Sequence, residues 1–212
     1  MQDNPPPKKK NLRVERREAT AQAVLEAARQ EFERVGYEAA NLRTIAANAG
    51  VSAATVIHHH GDKRDLLHAA LFDDLEQTLC AALASTPDAP LAAQLDALTR
   101  AVFAYYTRRP ALSRALLRES LFAGEPWASR FTAQTRQVHA HIATLFERAR
   151  AAGALDRDAD AALFGVAYLS FFYFALISWA QGAHPDPAAL VARLVAQHLD
   201  GLSKPQNHEE KT

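Results

Sequence analysis

The sequence predicts an all-α protein in which a small N-terminal helical domain precedes a larger helical bundle. Ala, Leu, Arg and Glu dominate, and no alternating runs of Val, Ile and Thr suggest strands. Gly and Pro fall at widely separated breaks, and between them the apolar residues recur with a 3.6-residue period.

Taken in order, Glu18 to Val35 places Val24, Ala28, Phe32 and Val35 on one helical face, and Gly36 follows where a left-handed glycine would end the helix. Asn41 is positioned to cap a short helix that carries Leu42, Ile45, Ala46 and Ala49 on one side. Gly50 and Val51 make a turn, and Ser52 caps a second short helix from Ala53. Asp62 caps a long helix through Leu66, Leu67, Leu71, Leu75, Leu79 and Leu83, with Asp65 favourable to its dipole, and Pro87 and Pro90 mark its exit. Cys80 is expected on the core side of that helix. From Leu91 five more helices are expected, separated near Arg109-Pro110, Gly124-Glu125-Pro126, Gly153 and Gly182 to Pro187.

The 24 basic residues balance 24 acidic ones, so affinity for nucleic acid would have to come from local clustering. The first 17 residues supply a cluster: Lys8, Lys9, Lys10, Arg13, Arg16 and Arg17 against Asp3 and Glu15. The Pro- and Lys-rich start and the polar end from Ser203 have too few apolar residues to pack and are expected to be disordered when free. The expected organisation is a basic arm over 1–17, a DNA-binding domain over 18–70, a larger domain over 71–202 and a tail over 203–212.

Cys80 is the sole cysteine, which excludes an internal disulfide, and zinc would need three further ligands. No cofactor motif is present. Charges and prolines stand where a signal peptide would have an apolar run, so a cytoplasmic location is expected. Ala161 to Ala183 has no charged residue and is long enough to span a bilayer. However, acidic Asp156, Asp158 and Asp160 flank it, no basic cluster marks an edge, and Ser170, Ser178 and Gln181 interrupt it, so it reads as the centre of a bundle.

Ala46, Gly50 and Val56 meet three needs of a helix-turn-helix: a small residue at the helix crossing, a turn residue tolerant of positive φ, and an apolar residue holding the second helix on the first. With Gly36-Tyr37, Ile45-Ala46, Ala49-Gly50-Val51-Ser52, Thr55, His59, Lys63 and Leu66-Leu67 added, the span from Ala19 to about Ala70 resembles the N-terminal domain of the TetR family of transcription regulators. The resemblance implies that Ala53 to His59 is a recognition helix in the major groove and that Asn41 to Ala49 buttresses it. It also implies that Thr55 and Lys63 contact the DNA backbone. Two positions depart from the family pattern: Ile57 replaces a phosphate-contacting Tyr, and His60 replaces a core Phe.

Small side chains at Ser52, Ala53 and Ala54 let the start of the recognition helix approach DNA. Arg43 can reach a guanine edge, with Thr44, and Ala53 through a thymine methyl, as further base-reading candidates. Lys8, Lys9 and Lys10 precede the first helix, where they can follow the backbone or the minor groove. His58, His59 and His60 point about 100° apart on a helix and cannot converge on one metal ion.

The family resemblance implies an effector-binding and dimerisation domain in the remainder. Phe103, Tyr106, Trp127, Phe131, Tyr168 and Phe172 are the candidate ligand-lining residues, though aromatics at helical spacing serve equally as core. Few charges accompany them, so the expected effector is small and largely apolar. Phe171, Leu190, Leu194, Val195 and Leu202 are the candidate dimer contacts, on the two C-terminal helices that the family pairs between subunits. The expected function is a homodimeric repressor released from double-stranded operator DNA by that effector. A helical enzyme is the rival, but His139 and His141 face differently and no nucleophile and base or carboxylate pair stands out. A helical protein-interaction module is the other alternative.

Overall fold

A computed structural model describes residues 9–120 and 122–202, with side chains described from Val14. The described residues form nine helices and no strand. These are α1 (Lys9–Ala39), α2 (Leu42–Asn48), α3 (Ala53–His60), α4 (Lys63–Ala84), α5 (Leu91–Arg108), α6 (Pro110–Ser120), α7 (Trp127–Ala151), α8 (Ala161–Ala180) and α9 (Pro187–Asp200). Two compact units contain them: 1–74 with 111–122, and 75–110 with 123–212.

In the first unit, α1 opens at Lys9 instead of Glu18, so part of the expected disordered arm is helical. Residues 9–17 contain no Pro or Gly, and Lys, Leu, Arg and Glu extend a helix at little cost once the following turns exist. Lys8 and the tail from Ser203 lie outside the described residues. Val24, Ala28 and Phe32 are buried on the inner face of α1. At Gly36 the φ of 79° turns the chain before one last helical turn.

The caps act as their residue types dictate. Asn41 Oδ1 accepts from the Arg43 amide at 2.8 Å, Ser52 Oγ from Thr55 at 3.1 Å, and Asp62 Oδ1 from Arg64 and Asp65 at 2.8 and 2.9 Å. Ile45, Ala46, Val56, Leu66 and Leu67 meet in the core. Cys80 is exposed, contrary to expectation: α4 buries Leu71, Phe72, Leu75 and Ala82, and position 80 falls outside that stripe.

The segment 111–122 belongs to the first unit although it lies far along the chain, which moves one helix across the expected boundary near residue 70. The Arg118 guanidinium meets Glu38 Oε1 at 2.5 Å, Arg64 pairs with Glu119 at 3.4 Å, and Arg64 Nη2 donates to the Phe122 carbonyl at 2.9 Å.

In the second unit, α7 packs on α8, and α9 lies against both α5 and α8. The approach of α7 to α8 is close at Gly165, where an added Cβ would come within 2.8 Å of the His139 ring. His139 Nε2 also lies 3.0 Å from the Ala162 carbonyl. His141 instead meets Thr86 Oγ1 at 3.0 Å, so the two histidines do separate structural work. Phe164 is tilted against Phe146 and stacked on His198, with centroids 4.6 and 5.6 Å apart. Less than half of the apolar stretch of α8 is buried within the chain.

Candidate nucleic-acid interface

The interface is built from α2, a tight turn and α3. Gly50 takes φ 70° in the turn, a conformation that favours glycine, and the Val51 amide donates back to the Ala46 carbonyl at 2.9 Å. Ala46 and Val56 are buried, which closes α3 against α2 and fixes which face of α3 remains outside. That side carries Ala54 and, one turn further on, the neighbouring Ile57 and His58, and all three are exposed.

The sequence from Asn41 to Gly61 contains no Asp or Glu, so a polyanion would meet no opposing charge on α2 or α3. Arg43 is exposed on the first turn of α2, and among the described residues its guanidinium has no ion-pair partner. Ser52 Oγ and Thr55 Oγ1 are 2.8 Å apart at the start of α3, where the first amides point out of the helix. Ala53, Thr44 and His59 are half-buried. Ser52 and Ala54 are exposed, as Arg43 is, whereas Thr55 is half-buried.

Lys63 stands differently from a free phosphate-binding cation. Its Nζ donates to the carbonyls of Glu38 at 3.0 Å and Ala40 at 3.3 Å, and lies 4.8 Å from the Tyr37 ring centroid. Two of its three N–H donors therefore close the end of α1, leaving one for a phosphate. Arg118 covers the same ring at 5.8 Å. Nothing local to the motif points to Arg118, which lies 80 residues beyond its partner Glu38. Burial and the neighbouring carboxylates raise the Tyr37 phenol pKa.

His60 is half-buried where the resemblance expects Phe, and burial, then His59, lowers its pKa. His58 and His59 meet edge to face at 5.2 Å. Among the described residues no group of three His, Cys, Asp or Glu side chains could hold a metal.

In the second unit the candidate ligand residues divide. Tyr168 is 2 % exposed, and its hydroxyl lies 2.7 Å from Thr99 Oγ1, so it is committed to the core. Phe103 is buried and stacks on half-buried Phe172 at 4.6 Å. Trp127 is buried with the Arg130 guanidinium 5.0 Å from its ring, while Phe131 and Tyr106 are half-buried. Burial raises the Tyr106 phenol pKa.

The dimer candidates divide as well. Val195 is 3 % exposed and is part of the chain's own core. Phe171 lies edge to face with His198 at 5.7 Å, and Leu190, Leu194 and Leu202 are half-buried. The large apolar residues left uncovered are instead Leu163, Val166, Tyr173 and Phe174 on α8. No sequence signal singles them out, because α8 is apolar all round.

Residues 24–70 match the family described as bacterial regulatory proteins, tetR family, and 92–180 match the tetracyclin repressor-like C-terminal domain. No curated protein matches the chain. The fold is similar to that of a TetR transcription regulator from Haloarcula marismortui, with a TM-score of 0.70, 19% identity, and 87% of this chain and 98% of that one covered. It is also similar to the fatty acid degradation regulator FadR from Bacillus halodurans, with a TM-score of 0.64, 18% identity and coverage of 85% and 98%. A third similar structure is the TetR family regulator PfmR from Thermus thermophilus, with a TM-score of 0.62, 22% identity and coverage of 86% and 99%. The capped helix-turn-helix, the bundle that follows it and the two matched segments place this chain in the TetR family of transcription regulators.

Proposed function

We propose that the protein is a cytoplasmic, homodimeric repressor that binds a two-fold operator through α3 and leaves it when a small, largely apolar effector enters the second unit. The observation that carries the DNA-binding part is the outer face of α2 and α3, where Arg43, Ala54 and Ile57 are exposed on helices free of acidic residues. Family membership supports a binding protein rather than an enzyme.

Dimerisation is supported by α8. Leu163, Val166 and Phe174 are 65%, 53% and 58% exposed and lie on one stripe, which a second copy would cover by two-fold packing. The effector part is supported by the half-buried rings of Tyr106, Phe131 and Phe172 in a region with few charges. Lys9 and Lys10, at the start of α1, would add contacts to the DNA backbone, together with Lys8.

Selection of duplexes from a random pool with the purified full chain tests the reading. The expected product is an inverted repeat with half-sites about 34–36 Å apart. Binding without sequence preference, or no binding, refutes it and favours a helical interaction module.

A further inference from the structure

Ile57 is 53% exposed in the second turn of the recognition helix, and no other large apolar side chain of α2 or α3 is so open. Val56 beside it is fully buried, so the helix could not rotate to cover Ile57 without exposing its own anchor. An isoleucine held open in this way has no hydrogen bond to offer a phosphate. Ala54, one turn earlier, is also exposed and ends at a methyl group, so the outer face of α3 presents two aliphatic side chains in line. The cationic Arg43 and the absence of any acid between Asn41 and Gly61 favour a polyanionic occupant over an apolar protein surface. Within the major groove, the thymine C5-methyl is the apolar group on the base edges.

We propose that Ile57, with Ala54 beside it, reads thymine C5-methyl groups, so that each operator half-site carries thymine opposite the middle of α3. This rests on the proposed binding of α3 in the major groove and adds the base class recognised there. The isoleucine side chain packs on the methyl and both leave water, an interaction that cytosine, which lacks the methyl, cannot make.

The test uses the full-length protein and the duplex selected from a random pool, with each thymine replaced in turn by deoxyuridine, which removes only the methyl. Wild-type protein is expected to bind about fourfold more weakly per half-site at one or two thymines, the value of one buried methyl-sized group. Ile57→Ala is expected to bind the unmodified duplex more weakly and to be indifferent to deoxyuridine at those same positions. Ile57→Val, which keeps a branched side chain, should retain part of the discrimination. Wild-type indifference to every deoxyuridine overturns the inference while leaving the regulator reading intact. So does an Ile57→Ala variant that keeps the wild-type deoxyuridine pattern, which would place the side chain against the backbone. Failure to select any duplex overturns both.

Discussion

The Thr99–Tyr168 pair gives a calculable test of whether Tyr168 serves the core or a ligand. Thr99 and Tyr168 are 1% and 2% exposed, and their hydroxyl oxygens are 2.7 Å apart. Thr99 Oγ1 also donates to the Leu95 carbonyl at 2.7 Å. A threonine hydroxyl carries one proton, so Tyr168 must be the donor in the shared bond. Burial pushes the Tyr168 phenol up to about 12, so it stays protonated as that role requires. Thr99→Val keeps the shape but leaves the phenol buried without its acceptor, at a cost of about 1–3 kcal/mol. Tyr168→Phe removes the donor while Thr99 keeps its bond to Leu95, and should cost only about 0.5–1.5 kcal/mol. The double variant should be no less stable than Thr99→Val alone, because replacing both partners removes the orphaned group. For a chain of this size each kcal/mol moves Tm by about 2–4 °C. Thermal and urea unfolding followed by circular dichroism at one protein concentration reads all three variants. Strict additivity of the two single changes would refute the pair and return Tyr168 to the candidate ligand-lining residues.

Arg43→Ala should weaken operator binding by about 1–3 kcal/mol and relax preference at one base pair per half-site, measured by anisotropy on permuted duplexes. Lys63→Ala should weaken all sequences alike and reduce the log–log salt slope by about 0.9 for each phosphate that is no longer neutralised. It should also lower the melting temperature without DNA, since two carbonyls at the end of α1 are left without their donor. Phe174→Asp places a charge on the exposed stripe of α8 and should shift sedimentation toward the monomer with little change in monomer fold. Burial lowers the pKa of His68, with Arg64 adding to the shift and Asp65, Glu119 and Asp62 opposing it. The folded state therefore resists protonation at His68, and stability should be level above the ordinary histidine value of about 6.5 and fall below it. The fall from this one residue should not exceed about 1.4 kcal/mol per pH unit and should be lost in His68→Phe, and pH profiles of the denaturation midpoint that stay parallel for the two proteins would show that another group controls it.

The features legible in the sequence were local: the all-α class, the caps at Asn41, Ser52 and Asp62, the Gly50 turn, and the breaks between the later helices. Each depends on a residue and its neighbours within one helical turn, where side-chain reach and backbone preference settle the outcome. Tertiary structure decided everything that depends on residues distant along the chain. It brought Arg118 onto Tyr37 and Glu38, drew 111–122 into the first unit, committed Lys63 to two carbonyls and tied Tyr168 to Thr99. It also decided which side of α8 is covered and buried Val195 in the chain's own core. A helix that is apolar on every face carries no periodic signal to orient it, and a long cation satisfies whichever acceptors the fold brings within reach, so neither outcome is encoded in local spacing.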